Sequence, residues 1–182
     1  MERLESDDRP LAIVDPVERV NLFNTPPEET IIDLEKQYTA SILTSKGELT
    51  VELFVDEAPI SVNNFVVLVE LGYFDGLPIA LVNPEIVLFG SPDVADPTQD
   101  VGYLFEAEKN LSRPLVIGSM AYIPHRDNPT LSSGSQILMA LVPPPAGIQS
   151  QFSFFAEITE GADILTELTP EDTIESVTIT SE

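Results

Sequence analysis

Cysteine and tryptophan are absent from the 182 residues, histidine occurs once, at His125, and 8 basic side chains face 31 acidic ones. Without cysteine there is no disulfide, no thiolate nucleophile and no cysteine-held zinc. A single imidazole excludes a multi-histidine metal site. No apolar run reaches the ~18–20 residues that span a bilayer, so no membrane span is expected. The charged start Met1-Glu2-Arg3-Leu4-Glu5 is no secretory signal. The chain as it stands therefore reads as cytoplasmic, with an extracytoplasmic place open if a signal has been removed. The net charge of −23 repels nucleic acid and anionic membranes, and it favours solubility or a basic partner. No Gly-rich phosphate loop is present. The acids show no spacing that singles out an acid/base pair, and a solvated surface accounts for them.

What is there begins with a hydrophobic fraction of 43%, ordinary for a chain that buries one core. Residues 1–36 carry Pro10, Pro16, Pro26 and Pro27 among many acids. They read as an irregular arm that lies along the following domain, residues 37–182, or hangs free. Leu22 and Phe23 are its candidate anchors. From Tyr38 the pattern turns regular: two runs of period 2, 38–44 and 48–55, flank a turn at Ser45-Lys46-Gly47 and predict a hairpin. Pro59 and Ser61 then offer a helix start, with Ser61 as the N-cap. Val62, Phe65, Val66, Leu68 and Val69 follow at helical spacing, and Gly72 is the stop. Short apolar runs come next, at 79–82, 86–89, 115–121, 136–142 and 152–158. A second short helix is expected near 161–168 and a last strand at 176–180. Many short strands with few helices predict a mostly β barrel or sandwich.

Several segments, in order and spacing, are similar to those of the cyclophilin family of peptidyl-prolyl isomerases. Thr44-Ser45-Lys46-Gly47-Glu48-Leu49 resembles the family's opening hairpin, and Glu57-Ala58-Pro59-Ile60-Ser61-Val62-Asn63-Asn64-Phe65 its first helix entry. Gly72-Tyr73-Phe74-Asp75-Gly76, Gly118-Ser119-Met120-Ala121, Gly134-Ser135-Gln136 and Phe155-Ala156-Glu157-Ile158 continue the match. The resemblance implies a cyclophilin-like closed eight-stranded antiparallel β-barrel capped by two α-helices. It also implies a working groove on the outer wall that needs no cofactor or metal.

The resemblance further implies which residues line that groove, and most depart from the family pattern. Leu81 stands where the family carries its catalytic arginine. Ile86 and Val87 replace a phenylalanine and a methionine, and Phe89 replaces a glutamine. Leu138 replaces a second phenylalanine, Ile148 follows Gly147 where many members have Trp-Leu, and Phe152 replaces a histidine. Met120, Ala121 and Gln136 are retained. Rotation about an X–Pro bond crosses roughly 18–20 kcal/mol, and the family arginine polarises the twisted amide. Leucine has no donor. Two readings of Arg126 stay open: a surrogate donor swung in from the loop 122–135, or a solvated loop tip. Phe154 is expected in the barrel core, although with Phe89 and Phe152 it could instead fill the groove. The expected partners are proline-containing or apolar protein segments, with a basic partner as a further option. A genuine but slow isomerase is the alternative function.

Overall fold

A computed structural model describes residues 9–109 and 111–182; the reading of residues 1–5 lies outside them. The two alternating runs form β1 (Tyr38–Thr44) and β2 (Gly47–Leu53), paired from Tyr38↔Leu53 to Thr44↔Gly47. Thr44 holds the turn, its hydroxyl accepting from the Lys46 and Gly47 N–H groups at 3.2 and 3.1 Å. Alternation puts Ala40, Ile42, Leu49 and Val51 on the wholly buried face.

Helix α1 (Pro59–Glu70) follows, but its cap differs from the expected one. Ala58 is the N-cap and makes no side-chain cap bond, while Ser61 lies inside the first turn. The orphan donors go to a distant carboxylate: Glu108 accepts from the N–H groups of Ile60 and Ser61 at 3.0 and 2.8 Å, and from the Ser61 hydroxyl at 2.8 Å. A negative charge there also meets the positive end of the helix dipole. Sequence-local capping rules cannot see such a partner. At the other end Gly72 has φ +76°. The Gly72 and Tyr73 N–H groups bond back to the carbonyls of Val69 and Leu68, both at 2.9 Å, a left-handed stop that suits glycine.

The remaining strands are β3 (Leu81–Val82), β4 (Ile86–Phe89), β5 (Leu104–Glu106), β6 (Ser119–Pro124), β7 (Leu131–Ala140), β8 (Ser153–Glu160) and β9 (Ile174–Ser181). The fold is mostly β: one curled antiparallel sheet in the order β3-β4-β7-β6-β8-β2-β1-β9, with β5 added to the start of β7. Its two ends meet without a ladder. Pro78 and Thr173 form an isolated bridge, flanked by Gly76 N–H to Ile174 O at 2.7 Å and Ile79 N–H to Asp172 O at 2.9 Å. Proline has no N–H to extend the pairing. The second cap is a 3-10 helix, Ala162–Glu167, where an α-helix was expected. It starts from left-handed Gly161 with no side-chain cap, and a segment this short does not sustain an α-helical nucleus alone.

Strand β7 begins earlier than its composition suggests. Ser132, Ser133, Gly134 and Ser135 look like turn residues, yet they are in the strand. Pairing with the unforeseen β5 explains it: Leu104↔Ser133 and Phe105↔Ser132. Two of the buried hydroxyls find acceptors, Ser133 on Asp100 at 2.6 Å and Ser135 on the Gly90 carbonyl at 2.8 Å. Residues 115–118, expected as strand, lie outside β6.

Residues 9–36 lie along the barrel through specific bonds. Arg19 is 1% exposed. Its guanidinium donates to the carbonyls of Tyr73 and Asp75, both at 2.6 Å, and of Val14 at 2.5 Å. Arg9 pairs with the Asp75 carboxylate at 2.9 Å and also donates to Val69 O and Val177 O. Phe23 packs on the core and its N–H reaches Val101 O at 2.9 Å. That approach requires Gly102: at φ +109° an added Cβ would sit 2.4 Å from Phe23 O.

Asp172 fastens the seam end. It accepts from the Ser45 hydroxyl at 2.7 Å and from Thr169 N–H and Oγ1, both at 2.9 Å, with Lys46 at 3.6 Å. The Ser45 bond is the largest influence and, helped by Thr169 and Lys46 against the cost of burial, holds its carboxyl at about 2. A folded-state value below the unfolded one stabilises the fold above about pH 4 and is lost as pH falls from about 4 towards 2. Asp172→Asn is therefore expected to melt below wild type at pH 7, with the gap closing near pH 2. Thermal melts across that range check it.

Candidate functional site

The outer face of the sheet is set by register. Leu81 pairs with Leu88, Leu88 with Leu138, Leu138 with Ala121, and Ala121 with Phe154. Directly paired residues share a face, so one row of five apolar side chains crosses β3, β4, β7, β6 and β8. Loops cover part of this row: Leu111 joins Phe54, Ala121, Leu138 and Phe154 in a cluster distinct from the barrel core, with Leu115, Ile86, Ile148 and Phe152 packed against it.

Beside this cluster lies a groove of ≈ 260 Å³, at the small end for a ligand site. Leu138, Ala140 and Phe154 are its buried residues and form the floor. Ile86 and Glu85 stand on one side, and Pro143, Pro144, Pro145, Ile148 and Phe152 on the other. Local bonds hold both walls. Asn83 Oδ1 accepts from Glu85 and Ile86 N–H at 2.8 and 2.9 Å and fixes the β3–β4 turn. Leu141 N–H reaches Glu85 O at 2.7 Å, while Ile148 and Phe152 N–H groups bond Pro145 O and Ile148 O.

The structure thus brings together Ile86, Leu138, Ile148 and Phe152, with Ala121 beneath them and Leu81 in the same outward row. Three expected groove positions are elsewhere. Val87, Phe89 and Met120 are wholly buried inside the barrel: each neighbours an outward residue on its strand, and period 2 turns it inward. Phe89 lies 5.7 Å from Phe74, centroid to centroid. Phe154, expected in the core, faces outward. Gln136 is nearly buried, and its amide nitrogen donates to Pro97 O at 2.6 Å. Glu85 was missed, since a lone acid in a turn carries no sequence signal.

Known proteins share this fold. The family model described as cyclophilin type peptidyl-prolyl cis-trans isomerase/CLD matches residues 39–181. The chain belongs to the cyclophilin family. A Helicobacter pylori peptidyl-prolyl cis-trans isomerase is 30% identical over 151 residues, covering 82% of this chain and 91% of that protein. A Schizosaccharomyces pombe relative, peptidyl-prolyl cis-trans isomerase cyp6, is 31% identical over 140 residues, 68% of this chain and 32% of its own length. In fold the chain is similar to the crystal structure of a Cryptosporidium parvum cyclophilin type peptidyl-prolyl cis-trans isomerase. The TM-score is 0.67 at 20% identity, over 80% of this chain and 99% of that one.

In this cyclophilin no described cation lines the groove. Arg126 is exposed in the loop between β6 and β7. The strand from Ser132, which pairs with Pro124 beside that loop, to Leu138 runs about 20 Å at ~3.3 Å per residue, beyond the reach of an arginine side chain. Arg113 lies over the Phe54 ring, 4.3 Å from its centroid. It is already held by Glu57, Glu52 and Asp56 at 2.9, 3.1 and 3.1 Å. Ser112 N–H and hydroxyl also bond Glu57; despite some burial, these bonds and Arg113 keep its carboxyl below the usual range. That cluster straps residues 112–113 to the barrel and pairs the guanidinium with three carboxylates.

Proposed function

We propose that this cyclophilin acts as a binding module for apolar, proline-containing protein segments and isomerises X–Pro bonds slowly or not at all. The observation that carries the reading is the apolar groove floored by Leu138, Ala140 and Phe154 and walled by Ile86, Pro143, Pro144, Pro145, Ile148 and Phe152. It offers shape and apolar area to a proline ring, and no donor to the amide that must twist. An isomerase groove accelerates rotation chiefly by stabilising that amide electrostatically, and losing one such donor costs about 10²–10³ in rate. Binding itself needs no donor of that strength. Apolar burial at ~25 cal/mol per Å² against a wall stiffened by three prolines favours a preformed site.

NMR exchange spectroscopy on an X–Pro peptide tests this. The expected rate lies at least about 10²-fold below that of an arginine-bearing cyclophilin, with peptide-induced shifts at Ile86, Leu138 and Phe154. Turnover within tenfold of an ordinary cyclophilin, lost in Arg126→Ala, would overturn it.

A further inference from the structure

Resting on the reading of the groove as a peptide site, we infer that it selects segments carrying a lysine or arginine beside the apolar or proline residue. Three observations carry this. Glu85 is the one charged residue lining the groove. It is exposed, and among the described residues its carboxylate makes no ion pair. Second, its position is fixed by backbone bonds on both sides: its N–H to Asn83 Oδ1 and its carbonyl to Leu141 N–H, 2.8 and 2.7 Å. The turn that carries Glu85 is therefore held in place at the edge of the groove. Third, no described cation lines the groove to neutralise it, and Arg113, outside the lining, is paired with three acids.

The lining consists otherwise of aliphatic, aromatic and proline side chains. An acidic flank on the bound segment would meet Glu85 and the general field of a chain with net charge −23, so repulsion weakens its binding. A basic flank gains the pair and is steered in by the same field. The apolar floor takes the proline or leucine, and Glu85 takes the cation next to it.

The test titrates three peptides against the folded chain, read by chemical shifts of groove residues. One is neutral and carries Leu-Pro-Phe; in the others a flanking alanine is lysine or glutamate. The lysine peptide is expected to bind tightest and the glutamate peptide weakest. Glu85→Gln should weaken the lysine peptide about two- to fivefold, change the neutral one less, and partly rescue the glutamate one. Equal binding of all three, or an equal effect of Glu85→Gln on all three, overturns the inference and leaves the groove reading standing. No shift at the groove with any peptide defeats that reading, and this inference with it.

Discussion

Leu81→Arg is expected to raise X–Pro isomerisation about tenfold over the wild-type chain. Leu81 is half-buried on β3 and shares the outward face with Leu88 and Leu138, so a longer side chain there extends over the apolar row without entering the barrel. Its guanidinium would supply the missing donor to the twisted amide. The gain should stay short of the full 10²–10³ that such a donor contributes, because two further positions that the resemblance assigns to the groove are otherwise engaged. Phe89 is turned into the core, and the Gln136 amide is spent on Pro97 O. Leu81→Lys separates geometry from charge: a point charge without the planar fork should give less. A rate for Leu81→Arg equal to wild type, with the fold intact, would show that the row does not hold the substrate amide beside residue 81.

The second large effect is on stability. Arg19→Leu is expected to cost about 3–5 kcal/mol, since several buried carbonyls lose their donor at ~1–3 kcal/mol each. The substitution leaves the carbonyls of Val14, Tyr73 and Asp75 without the donors that now lie at 2.5–2.6 Å, and buried unpaired acceptors are expensive. At ~2–4 °C per kcal/mol for a chain this size, the melting temperature should fall by about 6–20 °C. Burial depresses the Arg19 pKa, with Asp75 opposing. The guanidinium is tolerated inside because the carbonyls after α1 converge on it. Its loss should free residues 9–23 from the barrel, seen as rapid amide exchange at Asn21 and Phe23, whose N–H groups now bond Asp100 O and Val101 O. A drop of only one or two degrees with those amides still protected would make the arm a bystander.

Sequence reasoning found the barrel through features that act over a few residues. Alternation at 38–53, the helical stripe from Val62 to Val69, and glycines at turns each report a local period or a backbone requirement. A retained run such as Gly118-Ser119-Met120-Ala121 then placed those pieces in one family. It failed where two distant segments decide the outcome together. Ser132 to Ser135 form strand because β5 pairs with them, Ser61 is served by Glu108, and the groove positions split according to which way each strand faces.

From the amino-acid sequence alone come the cyclophilin barrel and the expectation that Leu81 stands at the arginine position of an apolar groove. These depend on residue identity at positions that local pattern can align. Tertiary structure alone decided that Val87, Phe89 and Met120 belong to the core and Phe154 to the outer wall. It also decided that Arg126 lies at the far end of a hairpin, and that Glu85 stands at the groove's mouth. The reason is register. A one-residue difference in strand pairing exchanges inside for outside, and composition carries no measure of it.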